Sequence, residues 1–262
     1  MRQAPFATGI ALALLLLLAA PSLVVAGASL TAGSIVQFPP EGLSLRWYGK
    51  VLEAREVRDA FFRSLVVAAV CTALAVPSGT LAAIALARWR FRAALAIQLY
   101  LLLPFTVPLI GSGIGLMLLF GELGLLGRVW PVGIACCVIN LPFMIWAVAA
   151  SVNALDPELE RAAASCGAGP VQTFLLVTLP AVAPGILAGA LVMFVLALNE
   201  FLVSLLLVDA RTVTLPVQIY TQIRGVITPD LAAVSTVYVL VAAAAVLLLD
   251  RMVGLEIFLR SR

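Results

Sequence analysis

Long uncharged stretches of apolar residues dominate this chain, and the polar residues are gathered into the segments between them. The stretches cover residues 6–28, 64–87, 93–121, 129–155, 162–199 and 231–249. A helix needs about 20 mostly apolar residues to cross a bilayer, and one charge at its centre costs roughly 2.5–3.5 kcal/mol. The stretch 162–199 is too long for one crossing and is interrupted by glycine and prolines, so we place its span at 185–208. The pattern predicts six membrane-spanning helices.

The first apolar stretch has two interpretations. Arg2 precedes it and the small residues Ala26-Gly27-Ala28 end it, as in a cleaved signal peptide. The apolar core of a signal peptide is usually only about 7–15 residues long. Because this stretch is longer, we favour an uncleaved first helix.

The third stretch contains residues that disturb a regular helix. Pro104 and Pro108 each remove a backbone donor, and Gly111, Gly113 and Gly115 follow at alternate positions. A proline inside a helix kinks or breaks it, whereas glycines allow neighbouring helices to approach closely. We expect a kink or a break in the third span.

Six spans place both chain termini on the same side of the membrane. Lys and Arg are enriched in cytoplasmic loops, but here each side would hold eight of them. The dense cluster Arg88, Arg90 and Arg92, between spans two and three, favours cytoplasmic termini. The polar segment from Pro39 to Arg63 then predicts an outer loop with amphipathic helical pieces.

Composition excludes several classes of function. The chain is 63% hydrophobic and 11% charged, against roughly 45–50% and 25% in soluble domains. Its net charge of +3 is small and its arginines are dispersed, which argues against nucleic-acid binding. It has no histidine, the commonest general base and metal ligand, so we expect neither a catalytic nor a metal site. The four cysteines have no disulfide or zinc spacing, so we interpret them as buried small apolar residues: Cys71, Cys136, Cys137 and Cys166.

The segment between the fourth and fifth spans predicts two short helices. Asp156 can cap the first, Pro157 suits its first position, and Gly167 can end it. The second helix is expected to begin at Pro170, run through Phe174 and stop at Leu179-Pro180. Apolar and small residues share one face of the first helix. They permit either docking of another protein or packing on the chain's own bundle, and periodicity alone favours the second.

The same segment resembles a family hallmark. In the inner-membrane permeases of ABC importers, Glu-Ala-Ala is followed after three positions by Gly, and after nine more by Ile-x-Leu-Pro. This chain has Arg161-Ala162-Ala163, then Gly167, then Val177-Thr178-Leu179-Pro180 at the same spacing. Further similar segments run along most of the chain: Ser44 to Tyr48, Leu103-Pro104, Leu141-Pro142-Phe143, Asn199 to Ser204, Thr214 to Tyr220, Thr228-Pro229 and Ala232 to Ser235. The chain is most similar to the second permease of spermidine/putrescine-type importers, whose relatives also carry iron, thiamine or phosphonate compounds.

This resemblance implies an all-α, type I ABC importer permease with six spans and a cytoplasmic coupling helix between spans four and five. It implies one transmembrane domain over 1–262, with a first helix at 6–28, an outer loop at 29–60, a permease core at 61–250 and a cytoplasmic tail at 251–262. The residues that it assigns to ATPase coupling are Glu160, Arg161, Ala162, Ala163, Gly167, Val177, Leu179 and Pro180.

The implied function is that of a non-catalytic subunit in the cell inner membrane. Two ATPase subunits would bind the ATP, and a second homologous permease and a periplasmic solute-binding protein would complete the importer. The chain itself has no Gly-x-x-x-x-Gly-Lys-Ser/Thr phosphate loop, no cofactor is expected, and the cargo implied is a polyamine or a similar small organic compound. A secondary transporter would instead show inverted repeats and several intramembrane charges, and a scaffold would carry an extra soluble domain.

Arg161 departs from the family pattern, because it stands where the family has Glu. Either Glu160 supplies the acid from a position about 100° around the helix, or the ATPase presents a differently charged groove.

Asn199 and Glu200 form the clearest polar pair inside a predicted span. A carboxylate at membrane depth is by default a candidate for the substrate path. The alternative places Glu200 near the outer interface or at a contact with a partner subunit. Gln218 and Tyr220 are either part of a surface that docks the binding protein or an interfacial anchor.

Overall fold

The computed structural model describes residues 5–36, 38–89, 92–225 and 228–253. Within these residues the backbone is helical or in loops, apart from one isolated antiparallel bridge between Thr31 and Leu43. A π-helical turn, Phe174–Thr178, joins α8 to α9. The α-helices are α1 Pro5–Ser29, α2 Arg46–Glu53, α3 Arg55–Arg88, α4 Ala94–Thr106, α5 Leu109–Glu122, α6 Val129–Ala154, α7 Pro157–Ser165, α8 Pro170–Thr173, α9 Leu179–Leu198, α10 Leu202–Leu207, α11 Leu215–Ile223 and α12 Pro229–Val253.

All six predicted spans fall on apolar helices. Four helical stretches are long and apolar enough to cross a membrane: Gly9–Ser29, Arg55–Arg88, Val129–Ala154 and Pro170–Leu198. Two shorter apolar helices, Leu109–Glu122 and Pro229–Ala244, correspond to the third and sixth predicted spans. The second span begins earlier than predicted, because the charged residues from Arg55 onward continue the same helix.

The predicted break in the third span is confirmed. α4 ends at Thr106, Val107 is extended with ψ 128°, and α5 begins at Leu109. Pro108 explains the break, since a proline restricts the residue before it to extended conformations. Gly113 then allows α10 to lie close to α5, because a Cβ there would be 2.7 Å from the Cδ1 of Leu206.

The fifth predicted span, at 185–208, does not correspond to one continuous helix. The helical stretch begins at Pro170 and ends at Leu198, and a break before α10 follows at residues 199–201. Leu179-Pro180 does not stop the helix, because the backbone passes through the π turn, where the Leu179 N–H donates to the Phe174 carbonyl. The wider turn relieves the clash between a proline ring and the carbonyl four residues earlier.

The chain divides into two compact units. The smaller contains the described residues up to Ala60 and those from Val217 to Ala245. In it, the indole N–H of Trp47 on α2 donates to the Thr31 carbonyl at 3.0 Å. α2 is one of the helical pieces predicted between Pro39 and Arg63, and its tryptophan is buried.

The larger unit includes the described residues from Phe61 to Pro216. Its centre is the packing of α6 against α9 through small residues. A Cβ on Gly185 would be 2.8 Å from the Ala147 carbonyl, and one on Gly189 would be 2.6 Å from the Sδ of Met144. Met144 is fully buried and also faces Gly79 of α3. Small residues thus bring α3, α6 and α9 into close contact, as is typical of membrane helices.

A tight loop follows α10. Asp209 Oδ1 accepts hydrogen bonds from the Thr212 hydroxyl at 2.8 Å and from the backbone N–H groups of Arg211 and Thr212. The Thr212 hydroxyl is the main cause, and the Arg211 N–H the next, of a pKa for Asp209 below its usual value. Gly127 faces the same carboxylate, and its φ of +72° is a conformation that glycine adopts readily.

Candidate coupling site

The predicted coupling helix is present as α7. The Asp156 carboxylate accepts the backbone N–H of Glu158 at 2.9 Å, and a proline occupies the first turn. At the other end Gly167 has φ +88°, its N–H donates to the Ala164 carbonyl, and the Ala168 N–H donates to that of Ala163. These bonds form the glycine-terminated helix end that the sequence predicts.

α7 lies on the surface of the larger unit and contains no buried residue. Leu159, Arg161 and Ala162 are exposed, while Ala163 is half-buried. Cys166 is also exposed, so the prediction of four buried cysteines is wrong for this one and right for the other three. Most of the apolar face of α7 is therefore exposed.

Glu160, on α7, is turned inward. Its Oε1 accepts a hydrogen bond from the Thr178 hydroxyl at 2.7 Å and lies 3.3 Å from Nη2 of Arg88. The side chains of Arg88 and Glu160 are only 22% and 24% exposed. We call these three residues the Glu160 cluster; it joins the end of α3, the middle of α7 and the end of the π turn.

Arg161 points into solvent instead. Its Nη1 lies 2.7 Å from the Glu158 Oε1, and the two side chains are 69% and 66% exposed. Glu160 is turned toward Arg88 and Thr178 of its own chain, whereas Arg161 is exposed. Arg161 and Glu158 are the charges that α7 presents outward.

The second part of the loop exposes apolar side chains. The Gly169 N–H donates to Oε1 of Gln172 at 3.1 Å, which fixes the start of α8. Val171, Leu175 and Leu176 are exposed. Three further positions of the family motif follow: Val177 and Leu179 are half-buried, and Pro180 is exposed.

A cavity of about 360 Å³ lies in the smaller unit, and a larger one of about 960 Å³ lies beside α7. The larger cavity is bordered by α3, α7, α8 and the π turn, and Ile84, Trp89, Ala164 and Phe174 contribute apolar surface to it. α7 is therefore separated from α3 by open space along part of its length.

The predicted substrate-path pair lies at the break between α9 and α10. Asn199 follows α9, is exposed, and donates its Nδ2 to the Val195 carbonyl at 2.8 Å. Glu200 is half-buried, and its Oε1 accepts the Val203 N–H at 2.9 Å, which caps α10. The carboxylate has a structural partner in its own chain.

Comparison with known sequences identifies the family. Residues 75–255 match the family described as binding-protein-dependent transport system inner membrane components. The chain belongs to this family of ABC importer permeases. The matched region contains α7, the π turn and α9, so the candidate coupling site lies within the part of the permease that the family shares.

Individual relatives of the permease differ in cargo. It is 30% identical over 206 residues to the putrescine transport system permease protein PotI of Escherichia coli K12, covering 74% of this chain and 72% of the relative. It is 33% identical over 206 residues to the molybdenum transport system permease protein ModB of Mycobacterium tuberculosis, covering 73% and 77%. A solved bacterial ABC transporter, involved in the import of the acidic polysaccharide alginate, matches with TM-score 0.65 at 17% identity over 97% of this chain and 98% of that one. This structural likeness supports the all-α, multi-pass permease fold.

Sequence reasoning missed two residues of the site. In the sequence, Arg88 is only a topology signal and Thr178 only a free position in the family motif. Their sequence separation from Glu160 left no local pattern to find. One signal could have indicated the contact between Arg88 and Glu160: an arginine ends a predicted span on the same side of the membrane as an acidic loop.

Proposed function

We propose that this permease forms half of the membrane pathway of an ATP-driven importer and is moved through the loop that contains α7. Two ATPase subunits, a second homologous permease and a periplasmic solute-binding protein complete the assembly. The observation that carries the proposal is an exposed, firmly capped helix without buried residues, at the position of the family hallmark. Such a helix retains its shape when another protein binds its outer face.

The loop lies on the cytoplasmic side in this proposal. The contact between Arg88 and Glu160 supports this, because it joins the end of α3 to the loop that contains α7. The arginine-rich segment begins at the end of α3, and arginines are enriched in cytoplasmic loops. Six spans then give cytoplasmic termini.

The proposed cargo is a polyamine or a similar small organic compound, delivered from the periplasmic binding protein to the cytoplasm. The likeness to the putrescine permease supports it, as do the motifs that resemble spermidine/putrescine-type importers. Asn199 and Glu200 are proposed to border the path at the break between α9 and α10, where backbone irregularity is tolerated beside a cavity or protein.

Cys166 offers a direct test of the docking surface, because it is exposed on the loop whereas the other three cysteines are buried. A photo-crosslinker attached to it in the assembled importer should link the permease to the ATPase. The Cys166→Ser protein, treated identically, is the control. Labelled Cys166 that never reaches the ATPase in an assembled, ATP-hydrolysing complex would refute α7 as the docking element.

The cargo is tested in proteoliposomes that contain the complete importer and its binding protein. We expect ATP-dependent uptake of radiolabelled putrescine or spermidine. Because the molybdenum permease is similarly related, molybdate is the matched competitor. Uptake of molybdate without uptake of either polyamine would overturn the proposed cargo and leave the coupling role untouched.

A further inference from the structure

The Glu160 cluster bridges three elements that the sequence keeps apart. Arg88 is the last residue of α3, Thr178 is the last residue of the π turn that leads into α9, and Glu160 lies within α7. α3 and the stretch that contains α9 are long enough to cross the membrane. One carboxylate oxygen therefore connects the coupling helix to two membrane spans.

The contact is more shielded from water than the other ion pair on α7. Thr178 is buried, at 4% exposure, and the side chains of Arg88 and Glu160 are each less than one quarter exposed. The Arg88 Nε and Nη2 atoms are buried and make no hydrogen bond within the described residues, so Nη2 relies on the 3.3 Å ion contact with Glu160. Neutralising Glu160 would leave this guanidinium without its counter-charge.

Apart from the Glu160 cluster, α7 packs chiefly against α8 and the π turn, which belong to the same loop. The helix has no buried residue, the 960 Å³ cavity adjoins it, and its C-terminal end leads into a short turn at Gly167–Gly169. The connection of α7 to α3 therefore depends largely on the ion contact between Glu160 and Arg88. A helix held only by its two chain ends could move without displacing the spans.

We propose that Glu160 is a positioning residue that fixes α7 to α3 and α9, so that displacement of α7 by the ATPase is passed to both membrane spans. The inference rests on the proposed coupling function. It assigns the two adjacent charges opposite tasks: Glu160 connects the helix to its own bundle, and Arg161 belongs to the outer, ATPase-facing surface.

The chain supplies a matched control on the same helix. The Glu158–Arg161 pair is also an ion pair of α7, but it is solvent-exposed and contacts no span. Glu160→Gln and Glu158→Gln each remove one carboxylate charge and keep the side-chain size. Only the first removes the counter-charge of Arg88, and so weakens the connection to α3; the amide oxygen of glutamine can still accept the Thr178 hydroxyl.

The experiment measures three quantities in the reconstituted importer: copurification of the ATPase, ATP hydrolysis, and solute taken up per ATP hydrolysed. For Glu160→Gln we expect copurification and hydrolysis to be retained, with uptake per ATP lowered about tenfold, a typical size for coupling between sites. Glu158→Gln should change that ratio by less than about twofold. Thr178→Val, which removes only the hydroxyl, should give an intermediate loss.

Charge exchange provides a rescue that a purely structural defect would not show. Glu160→Arg alone should uncouple transport. Adding Arg88→Glu in the same chain re-forms the ion pair with its charges exchanged, and the new arginine can donate to the Thr178 hydroxyl, which can also accept a hydrogen bond. The double variant should therefore recover most of the uptake per ATP. Normal coupling in Glu160→Gln, equal loss in Glu158→Gln, or no rescue would overturn the inference. If the ATPase fails to copurify with the wild-type permease, the proposed function itself fails.

Discussion

The packing of α6 against α9 predicts different outcomes for two alanine substitutions one turn apart. A Cβ on Gly185 would be 2.8 Å from the backbone oxygen of Ala147, about 0.6 Å closer than an ordinary contact. A Cβ on Gly189 would be as close, but to the thioether sulfur of Met144, which is flexible. The first clash can be relieved only by moving one helix. The second is relieved by rotating the Met144 side chain, together with a shift of a few tenths of an ångström at the Ala147 Cβ, which would be 3.2 Å away.

The magnitudes follow from these neighbours. Overpacking costs about 1–3 kcal/mol, whereas replacing a helical glycine by alanine gains about 1 kcal/mol. We therefore expect Gly185→Ala to lower the free energy of unfolding by up to about 2 kcal/mol, and Gly189→Ala to leave it unchanged or raised by less than about 1 kcal/mol.

Thermal unfolding of the purified permease in one detergent would compare the two variants under identical conditions. For 150–250 residues, 1 kcal/mol corresponds to roughly 2–4 °C in Tm, so the variants should differ by several degrees. A Gly189→Ala protein as unstable as Gly185→Ala, or less stable, would refute the reasoning from rigid and flexible neighbours.

Three further predictions concern positions outside the α6–α9 packing. Gly167→Ala should lower uptake per ATP because alanine is strained at φ +88°, whereas Gly169→Ala, at an ordinary φ, should not. A Cβ at either position meets no atom within 4 Å, so equal effects of the two variants in a transport assay would contradict this. The pKa of Asp209 is lower in the folded protein than its ordinary value of about 3.9. The ionised carboxylate therefore stabilises its loop at pH values above that ordinary pKa, and the stabilisation is lost as pH falls through the lower folded pKa. The protection factors of the two amides it binds, which correct for the intrinsic pH dependence of amide exchange, should fall only at such acidic pH. Protection factors that do not change with pH would be the contrary result. Trp47→Phe should destabilise the smaller unit by about 1–3 kcal/mol, since the buried Thr31 carbonyl loses its donor. An unchanged Tm, measured by circular dichroism, would contradict this.

Much of the coupling helix could be predicted before its surroundings were known. Asp156, Pro157 and Gly167 act through bonds to backbone groups a few residues away, so their pattern determines where α7 begins and ends. The break at Pro108 is equally local, because a proline constrains only its immediate neighbours.

The sequence by itself therefore determined the apolar stretches, the ends of α7, the break in the third span and, through the spacing of its motif, the family. These properties depend on transfer into lipid and on short-range backbone bonding. Tertiary structure alone decided that Glu160 turns inward while Arg161 faces outward, because the choice depends on Arg88 and Thr178, which are distant in sequence. It also decided that the helix continues past Pro180 and that Glu200 caps α10, since each depends on how a turn is accommodated by neighbouring elements.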